Sequence, residues 1–433
     1  MATSVTFVSW NVQKFGFKKM SPEFIEYVTS VIKYTGASIV GIMELVGWQG
    51  DTIGAKLLAS LGNKWQGVAS EVTPAKPNEQ YMFLWNTTTI NVKAGERPWL
   101  YGIVGELDFE PAWNLMGITQ SADQESFYQA LIKDGYMDTG FEINPVNTQS
   151  VVAKPSSFTL TGFKTIPLAA KNAIAEVFKN AASVQFPRGG MRSPYMLRFV
   201  YGGAAPFVTA LYHAPGPGNN WKYCAVNNLA IVDPIRNNPC VVMGDFNVKA
   251  SELNTTAPLY FVDPKSGNYE IYVDSFGNKL YPMVFHPLVG PNMPAAPYPF
   301  MSLITPMTGV SNTSLVGGPV TDPTGKVTFN ELEAVRSSPY DRIFYSSGAK
   351  QTRWGIYPAI GQIIDHAYTD AAVGSWYDKS IAKLATQIYV DWAKAHNVTP
   401  VTSTPPTKLS QAFEIYKQAI SDHLPVYVVL TLP

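Results

Sequence analysis

Val241, Val242 and Met243 form a short apolar, β-branched run that reads as a buried strand, and its polar exit is unusual for a strand end. Gly244 permits a sharp turn out of the strand, and Asp245 and Asn247 come next, one residue apart. In an extended exit, residues two apart point the same way, so a carboxylate and a carboxamide are presented together. A carboxylate that holds a hard cation or an activated water, beside an amide that polarises a phosphoryl oxygen, suits phosphate ester cleavage. The same residues also fit an Asx turn that merely closes a strand. The rest of the chain decides between the two.

Taken in order, the chain repeats the pattern. Val5 to Trp10 alternates and ends at Asn11, which predicts a first strand with a polar tip. Ser21-Pro22-Glu23 is a helix start, Phe24, Ile25, Val28, Val31 and Ile32 hold helical spacing, and Gly36 stops the helix. Ser38 to Met43 predicts a buried strand tipped by Glu44, Thr52 to Leu61 a helix, and Tyr81 to Trp85 a strand just after Glu79. Strands are predicted again at Met196 to Tyr201 and Phe207 to Tyr212, the latter running into His213 and a stiff Pro-Gly turn. Trp221 to Val232 fits a helix, Asp341 begins a strand, and Val426 to Leu432 closes the chain just after Asp422-His423-Leu424-Pro425. Residues from about 102 to 188 read as a helical and loop insertion, those from about 254 to 336 as a loop-rich insertion, and the stretch after Tyr345 to about Ala419 as loop and helix. No repeat or linker divides the chain, so one domain spanning 1–433 is expected.

Alternating strands and helices with polar groups at the strand tips predict an α/β enzyme. Asn11, Glu44, His213, Asp245, Asn247, Asp341, Asp422 and His423 all fall at such tips, in a chain with only 15% charged residues. The set offers acids for divalent cations, amides to orient phosphate, and two histidines for proton transfer. Of the five histidines, His286, His366 and His396 lie in weakly patterned segments and read as ordinary loop or surface residues. Formal net charge is zero, so bulk electrostatics gives no support to tight nonspecific nucleic-acid binding, and a local basic groove stays open. No run reaches about 18 apolar residues and no secretory leader is visible, so no membrane span and a cytoplasmic setting by default are expected, with unconventional export open. Cys224 and Cys240, the only cysteines, are expected to be reduced and structural.

Nine segments carry a resemblance, in order along nearly the whole chain. They are Ser9-Trp10-Asn11-Val12, Phe15-Gly16 with Lys19-Met20-Ser21, Ile42-Met43-Glu44, Glu79-Gln80-Tyr81-Met82-Phe83-Leu84 and Arg192-Ser193-Pro194; then Ala210-Leu211-Tyr212-His213-Ala214-Pro215, Gly244-Asp245-Phe246-Asn247, Tyr340-Asp341-Arg342-Ile343 and Ala419-Ile420-Ser421-Asp422-His423-Leu424-Pro425. Together they resemble the endonuclease/exonuclease/phosphatase superfamily, and within it the deoxyribonuclease I type. The resemblance implies a four-layer α-β-β-α sandwich of two packed mixed sheets and metal-dependent hydrolysis of phosphate esters at one sheet edge. It implies Glu44 as the principal Mg2+ ligand, supported by Asn11 and Asp422, with Mn2+ or Ca2+ as substitutes. Asp245 would orient or deprotonate the attacking water, and Asn247 and Arg192 would contact the phosphate. His423 would be oriented by Asp341, and His213 by Glu79.

The chain departs from the family in three places. An ungapped match puts Tyr212 on the position of the family's first histidine, as in apurinic endonucleases, whereas a one-residue bulge restores His213. Both stay as candidates, with His213 preferred because Glu79 stands where the orienting carboxylate is kept. Gln13 and Val46 replace basic residues that face DNA, and three connections are longer than in the compact nucleases, which implies a remodelled cleft. The implied activity is a Mg-dependent endonuclease with DNA as the favoured substrate. The alternative is a phosphatase or phosphodiesterase acting on a lipid or inositol phosphate, although Pro339-Tyr340 replaces the Trp-Cys of the inositol polyphosphate phosphatases. The sequence leaves the oligomeric state open.

Overall fold

The structure is a computed structural model. It describes residues 4–432 apart from 74–78, 97, 101–108, 138–142, 144, 181–191, 203–204, 217–228, 230–231, 237, 248–259, 263–268, 272–299, 303–313, 316–335, 339, 347–348, 365–376, 401–405 and 407–408. His286, His366, Cys224 and most of the helix expected over Trp221–Val232 lie outside the described residues.

Two mixed sheets pack face to face. The first runs β16-β17-β1-β2-β4-β3, with β1 Ser4–Phe15, β2 Ile39–Val46, β3 Trp65–Ala69, β4 Glu79–Asn86, β16 Lys350–Ile356 and β17 Val426–Thr431. The second runs β12-β15-β9-β8-β7-β5, with β5 Asn91–Val92, β7 Tyr195–Val200, β8 Phe207–His213, β9 Cys240–Asp245, β12 Phe300–Ser302 and β15 Asp341–Ser346; β6 (Trp99–Leu100) also pairs with β7. β1 and β2 are parallel, as are β8 and β9, and the other pairs in these sheets are antiparallel. Besides β12, the segment expected to be loop-rich holds two short pairs among its described residues, β10 (Tyr260–Val262) with β11 (Tyr269–Ile271) and β13 (Ser314–Leu315) with β14 (Arg336–Ser338).

Strand periodicity explains the layering. In β1, Val5 and Phe7 face the second sheet, while Val8 and Trp10 face the helices. The helix-side core packs α1 (Pro22–Thr35), α2 (Gly50–Leu61), α7 (Ala359–Ile363), α8 (Lys379–Ala395) and α9 (Leu409–Ala419) onto the first sheet. α1 begins where its sequence says it should: Ser21 Oγ accepts from the Phe24 N–H, Pro22 fills the first turn, and Gly36 ends the helix at φ 64°. A helical group, α3 (Glu110–Met116), α4 (Ser121–Lys133), α5 (Pro145–Ala153) and α6 (Leu168–Asn180), occupies the first expected insertion. It gathers a core of its own, all drawn from residues 109–178, around Phe109, Phe127, Leu131, Phe158, Ile174 and Phe178.

Several strands were not legible, the short β5, β6 and β12 and the longer β3 and β16 among them. β3 has a broken apolar pattern, and β16, placed in a stretch expected to be loop and helix, is an edge strand whose Thr352, Arg353 and Trp354 are exposed. Pairing with β17 makes it a strand, and its own composition does not. Among the described residues no helix is long and apolar enough to cross a membrane.

Candidate active site

The site lies where the facing surfaces of the two sheets run out of apolar residues. Along β8 the inward row is Phe207, Thr209, Leu211 and then His213; along β9 it is Val241, Met243 and then Asp245. β15 contributes Tyr345, Ile343 and then Asp341, and β4 contributes Trp85, Phe83, Tyr81 and then Glu79. Register aligns these ends, since His213 pairs with Asp245 and Asp245 with Asp341. Gly244 makes the alignment possible, because a Cβ there would sit 1.8 Å from the Tyr212 carbonyl oxygen. Each polar tip is therefore the last rung of a core ladder.

Two irregularities bring in the other side of the site. β2 gains one residue against β4 between Ile42 and Leu45, and Glu44 sits in that bulge at φ 59°. Plain alternation would send Glu44 to the helix side, and the bulge turns its carboxylate to Asn11 instead. β1 is irregular between Asn11 and Phe15, where Gln13 and Lys14 have φ 39° and 52°. Among the described residues, positive φ outside glycine occurs at Gln13, Lys14, Glu44, Trp48 and Asn247, all on these strand exits, and at Asn397 beyond α8. Backbone strain of this kind gathers at functional sites.

Asp245 is the centre. Its Oδ2 accepts from Asn11 Nδ2 at 3.1 Å and lies 3.6 Å from His213 Nε2 and 3.5 Å from His423 Nε2. Each imidazole is held from behind: His213 Nδ1 is 2.8 Å from Glu79 Oε2, and His423 Nδ1 is 2.7 Å from Asp341 Oδ2. Two carboxylate-backed histidines thus aim their Nε2 atoms at one carboxylate, at distances longer than a hydrogen bond.

Several expected residues take positions the sequence did not foresee. Asn247 does not leave β9 in an extended exit. It sits at φ 52°, its N–H donates to Asp245 Oδ1 at 3.0 Å, and its Nδ2 donates to the Ala214 carbonyl at 3.1 Å, so the Asx turn and the site coincide. Arg192 is buried and donates to Glu79 Oε1 at 2.9 Å and to the Ala214 carbonyl at 3.1 Å, which makes it a brace behind His213. Tyr212 needs correction as a counterpart of the family's histidine. β8 runs unbulged through His213, so Tyr212 points to the opposite face and packs on Phe246. Tyr81, Met43 and Ser421 were missed. The Tyr81 hydroxyl accepts from the His213 N–H, Met43 Sδ from the Asp245 N–H, and Ser421 Oγ links the Asn11 carbonyl to the His423 N–H. Only Tyr81, the inward residue next to Glu79 on its row, had a signal in the sequence.

The residues present fit a hard cation. Glu44 keeps some exposure, and Asp422 Oδ1 is buried without a hydrogen-bond partner, 3.9 Å from His423 Nε2. A buried carboxylate oxygen left unsatisfied is what an oxygen-loving divalent ion would complete. Asn11 Nδ2 donates to Glu44 and Asp245, and its Oδ1 accepts from the Gln13 N–H, so in this structure it orients the carboxylates. Glu44, Glu79 and His213, and separately Asp245, Asp341 and His423, also bring ligand atoms within 4.8 Å of one another.

Burial alone would lower the pKa of His423, but the charges of Asp341 and Asp245 and the hydrogen bond to Asp341 outweigh it and hold it well above 6.5. Burial and Arg192 pull His213 down, while Glu79 and Asp245 pull it up by more. Burial pushes Glu79 up, yet His213 and Arg192 hold it below its ordinary value. Raised histidines stabilise the fold fully below pH 6.5, and that stability is lost as the pH climbs through their folded values. The melting midpoint of the metal-free protein should therefore fall as pH rises above about 6.5, and His423→Gln should flatten the decline. A midpoint that climbs over that range would contradict the charge assignment. Cys240 is buried and its thiol is pushed up by that burial, in keeping with a structural role.

A family model described as the Endonuclease/Exonuclease/phosphatase family matches residues 8–423. No curated protein sequence matches the chain. Among solved structures, the endonuclease/exonuclease/phosphatase from Bacteroides vulgatus is 11% identical, with 100% of each chain covered and a TM-score of 0.40. The mannosyl-6-phosphatase of Bacteroides thetaiotaomicron is 11% identical, with 98% of this chain and 99% of that one covered and a TM-score of 0.39. The human Nocturnin catalytic domain is 10% identical, with 99% and 93% covered and a TM-score of 0.38.

Proposed function

Because the chain belongs to the endonuclease/exonuclease/phosphatase family, we propose that it is a Mg-dependent phosphodiesterase that cleaves nucleic acid, with DNA as its favoured substrate. The observation that carries the reading is Asp245 held between two histidines, each backed by a buried carboxylate. A divalent cation held by Glu44 and Asp422 would supply Lewis-acid polarisation of a phosphoryl oxygen. Asp245 orients the attacking water and accepts its proton, and Asn11 and the Asn247 N–H keep that carboxylate aimed. His423, held cationic by Asp341, donates from Nε2 to a phosphoryl oxygen and stabilises its growing charge. His213, aimed by Glu79 and Arg192, protonates the leaving oxygen.

One observation favours a second reading, in which the phosphate ester belongs to a lipid or an inositol phosphate. The rim beside Glu44 carries Phe17, Val46 and Trp48 at 66%, 36% and 68% exposure beside the exposed Lys14 and Lys18, an apolar and cationic edge that suits a lipid-borne phosphate. The test sets supercoiled plasmid beside phosphatidylinositol phosphate vesicles and inositol polyphosphate, each with Mg2+ and with excess EDTA. Metal-dependent nicking supports the first reading. Phosphate or headgroup release with intact plasmid moves the protein to the second, and undiminished nicking in EDTA would sink both. Under the same assay His213→Ala should lose about 100-fold or more, and Tyr212→Phe should stay within a few-fold of wild type. The reverse result would restore Tyr212 as the acid.

A further inference from the structure

Lys19 belongs to one of the segments that carry the family resemblance, yet nothing in the proposed chemistry uses it. It ends a single 3-10 turn, Phe17–Lys19, just beyond β1. Its Nζ donates to three backbone carbonyls: Val12 at 3.1 Å, Gln13 at 2.5 Å and Ile420 at 2.7 Å. An ammonium has three hydrogens, so its donors are fully used. Two of the acceptors lie on the irregular exit of β1, and the third lies 401 residues away.

The third carbonyl immediately precedes Ser421, whose Oγ already accepts from the His423 N–H and donates to the Asn11 carbonyl. The two segments joined by Lys19 therefore carry Asn11 on one side and Asp422 and His423 on the other. The ring of Phe24 lies 5.8 Å from Nζ and helps close the position from solvent. Burial pulls the ammonium pKa down to about 8, although Glu44 and Asp422 pull it up. Lys19 is only partly buried, yet holding even a partly desolvated ammonium against backbone carbonyls carries a cost that an apolar side chain would not. A charge kept there fits a joint whose geometry matters.

We propose that Lys19 is a positioning residue that brackets the Asp422–His423 loop to the exit of β1 and so fixes His423 relative to Asn11 and Glu44. The inference rests on the phosphodiesterase reading for its kinetic test, but its structural test does not.

Lys19→Met removes all three donors at similar volume. Its kcat should fall about 100-fold with little change in KM, the loss expected from a displacement of about 1 Å at a reacting group. The Nδ1 proton that His423 shares with Asp341 should give a downfield NMR resonance absent from His423→Ala, and this resonance should move or broaden in metal-free Lys19→Met. Lys19→Arg keeps the charge and part of the bridge, so it should recover to within about tenfold of wild type and retain the resonance. Should Lys19→Met not fold, Lys19→Leu, which also has no donor, takes its place with the same expectations. An unmoved resonance with kcat within about threefold of wild type would overturn the bracket, and so would Lys19→Arg as damaged as Lys19→Met. If wild type cleaves no phosphodiester, the proposed function falls, and the resonance in the metal-free variants still decides the role of Lys19.

Discussion

His423→Ala is expected to lower kcat by about 1,000-fold while the protein stays folded, within the range for losing a positioned acid or base. The imidazole is buried, its Nδ1 is taken by Asp341 at 2.7 Å, and its Nε2 stands 3.5 Å from Asp245. A cation fixed in that way needs no rearrangement when charge grows on a phosphoryl oxygen. Asp341→Ala should also lose much activity, through a misaimed and less basic imidazole. The double variant should be no worse than His423→Ala alone, because Asp341 acts through the ring. Rate measurements on plasmid for the two single variants and the double variant make the check. If the two losses multiply, Asp341 has a separate task.

Glu44→Ala should abolish turnover and also remove the metal's effect on stability. In wild type, a cation that binds only the folded state, at about 100 times its dissociation constant, should add about 2.7 kcal/mol and raise the melting midpoint accordingly. In the variant that rise should vanish, while the midpoint without metal stays nearly unchanged, since Glu44 is only partly buried. Calorimetry with and without Mg2+ reads this independently of any substrate. A full metal-dependent rise in Glu44→Ala would move the cation to another group, with Glu79 and His213 or Asp245, Asp341 and His423 as the alternatives.

Much of the second sheet's contribution was readable because it obeys a period of two. Leu211 to His213, Met243 to Asp245 and Ile343 to Asp341 are steps along single faces, so an apolar ladder ending in a polar residue announces both the strand and its tip. The α1 boundaries were equally plain, since Ser21, Pro22 and Gly36 act through local chemistry. The hidden features depend on partners distant in sequence. Arg192 finds Glu79 113 residues away, and β16 is a strand only because β17 lies beside it. Asn247 was read as part of an extended exit because its left-handed turn needs the Asp245 carboxylate already in place. Lys19 gave no hint of its three carbonyls, because backbone acceptors leave no mark in a sequence.

The bulge in β2 gives the lineage of this protein an unusual point of fragility. At the regular strand tips of β4, β8, β9 and β15, function is lost by changing a side chain, and the damage shows in the letters. At β2 the orientation of Glu44 hangs on one surplus residue between Ile42 and Leu45. Deleting a single codon there, or inserting a compensating one in β4, would restore regular pairing and turn the carboxylate toward the helices. Such a descendant would keep its glutamate, its sandwich and its histidines, and would still be an inert protein. Along this strand, natural selection has to guard the spacing as closely as the residues.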